Sequence, residues 1–127
     1  MIVADRTDAF FIRGPGYGQP QVERLAPGVH MVATTDPDDM AMPRIHRHLP
    51  RFRAAIRPVP PEWTAWTTLL ADRSLPAGSE INIPPRSGFG TCSSSAIGVA
   101  RVGDGRSWFF APGAPDRVGY HPVNLDA

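Results

Sequence analysis

Proline interrupts this chain so often that it limits the length of every regular element. There are 15 prolines among the 127 residues, and each one removes a backbone hydrogen-bond donor and fixes one dihedral angle. They cluster at 58–61, 84–85 and 112–122, so they separate elements and do not form a polyproline ligand. A chain of this length favours one domain. We therefore predict a single domain over residues 1–117 and a surface tail over 118–127.

Strand-like runs open the chain. MIVAD and AFFIR (1–5 and 9–13) are joined by a short polar connector, which predicts an antiparallel hairpin. VERLA and GVHMVAT (22–26 and 28–34) predict two more strands, with a Pro-Gly turn between them. Together these runs predict an antiparallel meander over residues 1–35.

Two amphipathic helices are predicted next. Asp36–Asp39 offers residues suited to capping a helix N-terminus. Apolar residues then recur at intervals of four, three and four, at Ile45, Leu49, Phe52 and Ile56. Pro50 lies inside this helix and should kink or split it. A second helix is predicted over 61–72, with Pro61 and Glu62 in its first turn.

Period-two patterning returns near the end of the chain. TCSSSAIGVARV and SWFFA (91–102 and 107–111) flank Asp104–Gly105, a step that favours a primed hairpin turn. The order of strands, helices and strands predicts an α+β fold: antiparallel hairpins with two helices packed on one face of the sheet.

Charge and cysteine content exclude several function classes. The formal net charge is +1, which predicts no bulk attraction to nucleic acid or to an anionic membrane. All 13 cationic residues are arginine. The single cysteine excludes an internal disulfide and weakly favours a reducing compartment. The start lacks signal-peptide features and no run is long enough to span a membrane, so we expect a cytoplasmic protein.

Cys92 lies in the run GFGTCSSS (88–95). A nucleophilic cysteine needs a neighbouring base and a lowered pKa, but no histidine follows locally. Strand alternation places Cys92, Ser94 and Ala96 on one face. We therefore interpret Cys92 as a small buried residue rather than a nucleophile.

Histidines and arginines crowd the first predicted helix. His46 and His48 are two residues apart, a spacing that does not point both rings the same way on a helix, so no metal site is predicted. Arg44 and Arg47 begin an arginine run that could bind an anion. The simpler interpretation of this run is a solvated helix face.

The order of short motifs resembles the second half of the NRDE family. LAPGVHMVATTDPDDMAMPRIHRHLPRF (25–52) is similar to its Pro-Gly-x-His strand, turn and Pro-Arg/Lys helix opening. GFGTCSSSAIGV (88–99) is similar to its Gly-Thr-x-Ser-Ser motif, and SWFFAPGAPDRVGYHPV (107–123) to its last strand and tail. MIVADRTDAFFIRG (1–14) looks like its Leu-x-x-Ala-Asp hairpin. The likeness spans nearly the whole chain.

The resemblance implies half of an Ntn-hydrolase-like sandwich of two sheets between helical layers. The family's Met-Cys start and its Asn-Arg-Asp-Glu signature have no counterpart here, since Ile2 follows Met1. It therefore implies a non-catalytic or vestigial domain, linked to metabolite, haem or lipid handling. Half a sandwich leaves a sheet face uncovered, so we expect a homodimer or a complex with a missing N-terminal half.

The resemblance also suggests ligand-binding positions. In the matching motifs the pocket residues would be Thr91, Cys92, Ser93, His30 and Thr35. Cys92 stands where family members often have an arginine that could orient an acyl substrate.

Two alternatives stay open. One is an Ntn-type amide hydrolase or acyltransferase that recruits Cys92. The other is a carrier of haem or an anionic metabolite that uses His30, His46 or His48 with the arginine face.

Overall fold

The computed structural model of the protein describes residues 1–103 and 105–125. It confirms the α+β class, with two antiparallel three-stranded sheets and two helices. The elements are β1 (Ile2–Ala4), β2 (Ala9–Arg13), β3 (Gln21–Arg24), α1 (Pro43–Ala54), α2 (Thr64–Leu70), β4 (Ser94–Val99), β5 (Arg106–Ala111) and β6 (His121–Pro122). The predicted turn at 104–105 includes Asp104, which lies outside the described residues. The prediction of a single domain over 1–117 stays a prediction.

The chain forms two compact units, and the first is built on β1, β2 and β3. It comprises residues 1–28 with 99–105. The predicted hairpin forms between β1 and β2, and its register pairs Ile2 with Phe11. Strand β3 pairs with β2 on its other edge. Phe11 is the buried apolar side chain of this unit, with 6% of its surface exposed.

The fourth predicted strand, over 28–34, is wrong. This segment begins the second unit, which runs from 29 to 98 and resumes at 106. Met31 and Val29 bond to Asp38 and Arg53, and no described strand pairs with this segment. The Met31 amide donates to Asp38 Oδ1 at 2.8 Å, and the Val29 carbonyl accepts from Arg53 Nε at 3.2 Å. These partners replace the sheet ladder that a strand would need.

The apolar stripe of α1 forms most of the core of the second unit. Ile45, Leu49 and Phe52 are buried, as the spacing predicts. The helix ends at Ala54, because Ala55 has an extended backbone and its amide bonds to the Arg51 carbonyl. Ile56 therefore falls beyond the helix and is 83% exposed, so its predicted burial is wrong.

Pro50 does not split α1, since the helix is continuous from Pro43 to Ala54, and the predicted kink stays a prediction. The proline removes one helical hydrogen bond, but the buried residues on both sides of it still pack on one face. The predicted cap is also wrong: Met42 is the N-cap residue, without a side-chain cap, so Asp36–Asp39 does not cap the helix.

Helix α2 is shorter than predicted and packs on α1. It begins at Thr64, whose amide donates to Glu62 Oε1 at 2.8 Å. Glu62 therefore lies before the first turn and binds it from outside. The Phe52 and Trp66 rings meet edge to face, with centroids 5.4 Å apart. This contact joins the two helices.

The second sheet has the strand order β4–β5–β6. Gly98 allows close packing on β4, since an added Cβ would lie 2.7 Å from Pro60 Cγ and 2.8 Å from Ser107 Oγ. Strand β6 lies within the segment 118–127 that the sequence predicts as a surface tail, and its residues are exposed. Residues 126–127 lie outside the described part.

Candidate functional site: an apolar cavity beside helix α1

A half-open cavity of about 450 Å³ is the candidate site. Its walls come from the segment 29–32, both helices, Ile81 and strand β4. A volume of this size falls within the range of small-molecule pockets. Most lining side chains are apolar, with three polar groups among them: Val29, His30, Met31, Val32, Arg44, Phe52, Trp66, Leu70, Ile81 and Ser95.

The first wall belongs to a loop over residues 29–39, here called the first anchored loop. Asp38 closes it from within: its amide donates to the Met31 carbonyl at 2.9 Å, and its Oδ1 accepts from the Met31 amide. Asp38 has a φ of 58°, a left-handed conformation that aspartate tolerates better than most residues. Arg53 of α1 donates to Asp38 Oδ2 at 3.2 Å. The helix therefore holds the loop against the cavity.

His30 is the ionisable group of this loop on the cavity wall. Its Nδ1 lies 2.7 Å from Asp38 Oδ2. Burial disfavours the charged form of Asp38, but the Met31 amide, His30 and Arg53 outweigh it and hold the pKa of Asp38 below its ordinary value. Asp38 is therefore ionised at neutral pH, and it fixes the orientation of the imidazole ring.

Arg44 is the second cationic group on the wall. Its Nε donates to the Glu80 carbonyl at 2.5 Å. The Glu80 side chain is only 1% exposed and pairs with Arg86 at 3.0 Å. Hydrogen bonds from the amides of Glu80 and Gly78, together with Arg86, hold the pKa of Glu80 below its ordinary value. The Glu80 carbonyl thus holds the Arg44 side chain in place, while Arg86 balances the charge of the Glu80 carboxylate.

A second anchored loop, over residues 72–80, lies against α1. Arg47 donates to the Leu75 carbonyl and, at 3.2 Å, to Ser79 Oγ. Arg51 donates to Asp72 Oδ2 at 2.5 Å. Burial opposes ionisation of Asp72, but the hydroxyl and amide of Ser74 together with Arg51 hold the pKa of Asp72 well below its ordinary value.

His48 is fully buried between α1 and the second anchored loop. Its Nε2 lies 2.7 Å from the Ser79 carbonyl, which can only accept, and its Nδ1 lies 2.9 Å from Arg51 Nη1, which can only donate. These partners select the neutral tautomer with the proton on Nε2. Burial and the neighbouring arginines lower the pKa of His48, although the Ser79 carbonyl acts in the opposite direction.

These contacts correct the interpretation of the arginine run as a solvated face. Arg44, Arg47, Arg51 and Arg53 each bond to a carbonyl or a side chain elsewhere in the unit. Guanidinium groups suit this role because they offer several donors in a fixed plane. Of the two predicted anion-binding residues, Arg44 lines the cavity and Arg47 is bonded to the second anchored loop.

The predicted pocket residues of the serine-rich run lie elsewhere. Thr91 is bonded to Ile83 twice: its amide donates to the Ile83 carbonyl at 2.9 Å, and its Oγ1 accepts from the Ile83 amide at 2.8 Å. Cys92 and Ser93 are exposed, as is Thr35. Within the described residues none of the four lines the cavity.

Cys92 is exposed, so its predicted burial is wrong. Strand β4 begins at Ser94, two residues later than the alternation argument requires. Among the described residues, the thiol has one hydrogen bond, to the Gly90 carbonyl at 3.5 Å. No histidine or carboxylate in this part of the chain bonds to it.

Sequence reasoning missed most of the cavity wall. Trp66 and Leu70 are four residues apart on α2, where helical spacing places them on one side, but such a pair is more often core than pocket. Ser95 ends the run GFGTCSSS, in which the predicted pocket residues are Thr91, Cys92 and Ser93, and Ile81 is not part of any predicted element or motif. Asp38, which orients His30, was assigned to a helix cap.

Comparison with known proteins gave no match to any protein-family model, curated protein or solved structure. Among residues 1–103 and 105–125, no helix is long and apolar enough to cross a membrane. Over the same residues, no cluster of three or more histidine, cysteine or acidic side chains is arranged to hold a metal ion.

Proposed function

We propose that the protein is a non-catalytic, NRDE-type binding domain that holds a small amphipathic metabolite in the cavity beside α1. The ligand would have an apolar body and one acidic group. Lipid-derived acids and haem both have this chemistry, and the order of the sequence motifs favours metabolite, haem or lipid handling. The proposal includes self-association of the domain.

The single observation that carries this proposal is the composition of the cavity wall. Val29, Phe52, Trp66 and Leu70 offer apolar surface to a ligand body. His30 and Arg44 lie on the same wall, and both are held in place by other groups. A guanidinium in such a setting binds a carboxylate more strongly than it would in water.

The alternative class, an amide hydrolase or acyltransferase with Cys92 as nucleophile, has less support. The Cys92 thiol is exposed, but Cys92 is absent from the cavity wall that the described residues form. A covalent mechanism needs a base within hydrogen-bond reach of the nucleophile. The binding function is therefore our conclusion.

The test is a titration of the purified protein with laurate, followed by calorimetry, and with haemin, followed by the Soret band. We expect saturable binding of at least one probe. Arg44→Leu should weaken it by about tenfold, the loss of one charge-assisted hydrogen bond. Laurate binding alone would identify the ligand as a lipid acid, and haemin binding alone would identify it as a porphyrin.

Arg57→Leu is the matched control, because Arg57 is exposed, is absent from the cavity wall and lies only a few residues beyond α1. It should leave either affinity unchanged within about twofold. Far-ultraviolet circular dichroism establishes that each variant is folded. If neither probe saturates, or if both substitutions weaken binding equally, the proposal is wrong.

A further inference from the structure

Strand β4 is an unpaired sheet edge. It is six residues long, Ser94–Val99, and lies at one end of the order β4–β5–β6. The Ala100 amide donates to the Gly105 carbonyl at 2.7 Å, which places the even-numbered residues of β4 in hydrogen-bonding register with β5. The amides and carbonyls of Ser95, Ile97 and Val99 therefore point outward. In the described strand order no strand pairs with β4 on this side.

The other sheet edges carry features that oppose pairing, and β4 carries none. Strand β6 is two residues long and contains Pro122. Strand β3 includes the charged residues Glu23 and Arg24, and β1 has three residues. Natural edges are blunted by short length, charge or proline. The sequence SSAIGV of β4 is the longest of the four edges and is uncharged.

Two exposed side chains of β4, Ile97 and Val99, are apolar. Ile97 is 64% exposed and Val99 is 49% exposed. On the opposite face Ala96 is buried, and Gly98 lies under Pro60 and Trp63. One face of the strand is thus already packed. On the other face Ser95 lines the cavity and accepts from Trp108 Nε1 at 3.2 Å, while Ile97, Val99 and the backbone edge are open.

We propose that β4 pairs antiparallel with β4 of a second copy of this chain about a two-fold axis at Ile97, joining two three-stranded sheets into one of six strands. This register places Ile97 beside its counterpart and Val99 opposite Ser95. Arg101 falls opposite Ser93, so no like charges face each other. A net charge of +1 adds little repulsion between copies. The pairing identifies the surface for the self-association proposed above, and one of its residues, Ser95, also lines the cavity.

Edge pairing of two short strands buries less than the roughly 1,200 Å² at the lower limit of stable interfaces. We therefore expect a weak dimer that forms as the protein concentration rises. Sedimentation velocity over a hundredfold range of concentration should show a monomer–dimer equilibrium. Ile97→Lys places two charges side by side at the axis and should raise the dissociation constant by about tenfold or more.

Val102→Lys is the control, since Val102 is 87% exposed and lies beyond the strand. It should leave the dissociation constant unchanged. A monomer at every concentration overturns the proposal, as does a dimer that Ile97→Lys leaves intact. The first of these outcomes would leave the edge open for an extended segment of a different protein.

Cross-linking tests the register without destabilising the strand. In a Cys92→Ser background, Ile97→Cys should form a covalent dimer with a short bismaleimide, and Val102→Cys should not. Equal cross-linking of the two variants contradicts the register. Because laurate and haemin titrations measure a separate property, failure of the dimer and failure of the metabolite proposal are distinguishable.

Discussion

The two anchored loops are fixed to α1 by the same kind of ion pair, but the two pairs differ in burial. Each is held to α1 by an arginine–aspartate pair: Arg53 with Asp38 in the first loop, and Arg51 with Asp72 in the second. The Asp38 side chain is 25% exposed and the Asp72 side chain is 12% exposed. The histidines near the two aspartates differ in exposure in the same way. His30 lines the cavity, whereas His48 is fully buried.

This difference separates structure from function among similar residues. A buried histidine with both nitrogens committed cannot contact a ligand, so His48 and the second anchored loop serve stability. The first anchored loop contributes a wall and an oriented imidazole to the cavity, so it is the candidate for binding. Three predictions test this division.

The largest effect is expected at His48. His48→Ala removes contacts to Arg51 and to the Ser79 carbonyl and leaves both without this partner in a buried place, so we expect a loss of about 3 kcal/mol in the free energy of unfolding. His46→Ala is the matched control, because His46 lies two residues away on the same helix and is exposed. It should cost less than about 0.5 kcal/mol. Urea denaturation measures both, and equal losses would contradict the division.

The aspartates should differ by a smaller amount. Asp72→Asn weakens the bonds to Arg51 and Ser74, with an expected loss of about 2 kcal/mol. Asp38→Asn should cost about 1 kcal/mol, because the Asp38 side chain is itself more exposed, 25% against 12% for Asp72, and solvent screens its pairing more. The same urea experiment measures these losses. In the titrations, Asp38→Asn should weaken binding and Asp72→Asn should not, once each variant is shown to be folded. If Asp72→Asn weakened binding and Asp38→Asn did not, the proposed role of the first anchored loop in binding would be wrong.

The smallest effect concerns pH. Because folding lowers the pKa of His48, the unfolded chain binds more protons below about pH 6.5. The stability from neutral His48 is complete above that pH and is lost as the pH falls towards the lowered pKa. We expect the wild type to lose more stability than His48→Gln between pH 7 and pH 5. The other histidines are the same in both proteins, so parallel pH profiles would contradict a neutral His48.

The sequence predicted the elements whose signal is local. The β1–β2 hairpin, the stripe Ile45–Leu49–Phe52 and the closing strands follow from short-range periodicity. The strand prediction for 28–34 failed because Asp38 and Arg53, which lie further along the chain, bond to the backbone of Met31 and Val29. The burial of Cys92 failed because strand alternation was extended back beyond Ser94, where β4 begins.

The candidate site was predicted only in fragments. His30 and Arg44 lie on the cavity wall, but Thr35 and Arg47 do not, and neither does the Thr91–Ser93 run. Resemblance to a motif identifies residues that are close in the chain. The cavity instead joins residues from 29 to 95, and no spacing rule connects His30 to Ser95.

The sequence by itself determined the α+β class, the amphipathic face of α1 and the absence of a disulfide, because each depends on residue type and local period. Only the tertiary structure decided which arginines are committed, which histidine is neutral and buried, and where the cavity and the open edge of β4 lie. Those properties depend on partners distant in the chain. A guanidinium or an imidazole takes its role from the groups that meet it, and periodicity does not encode those groups.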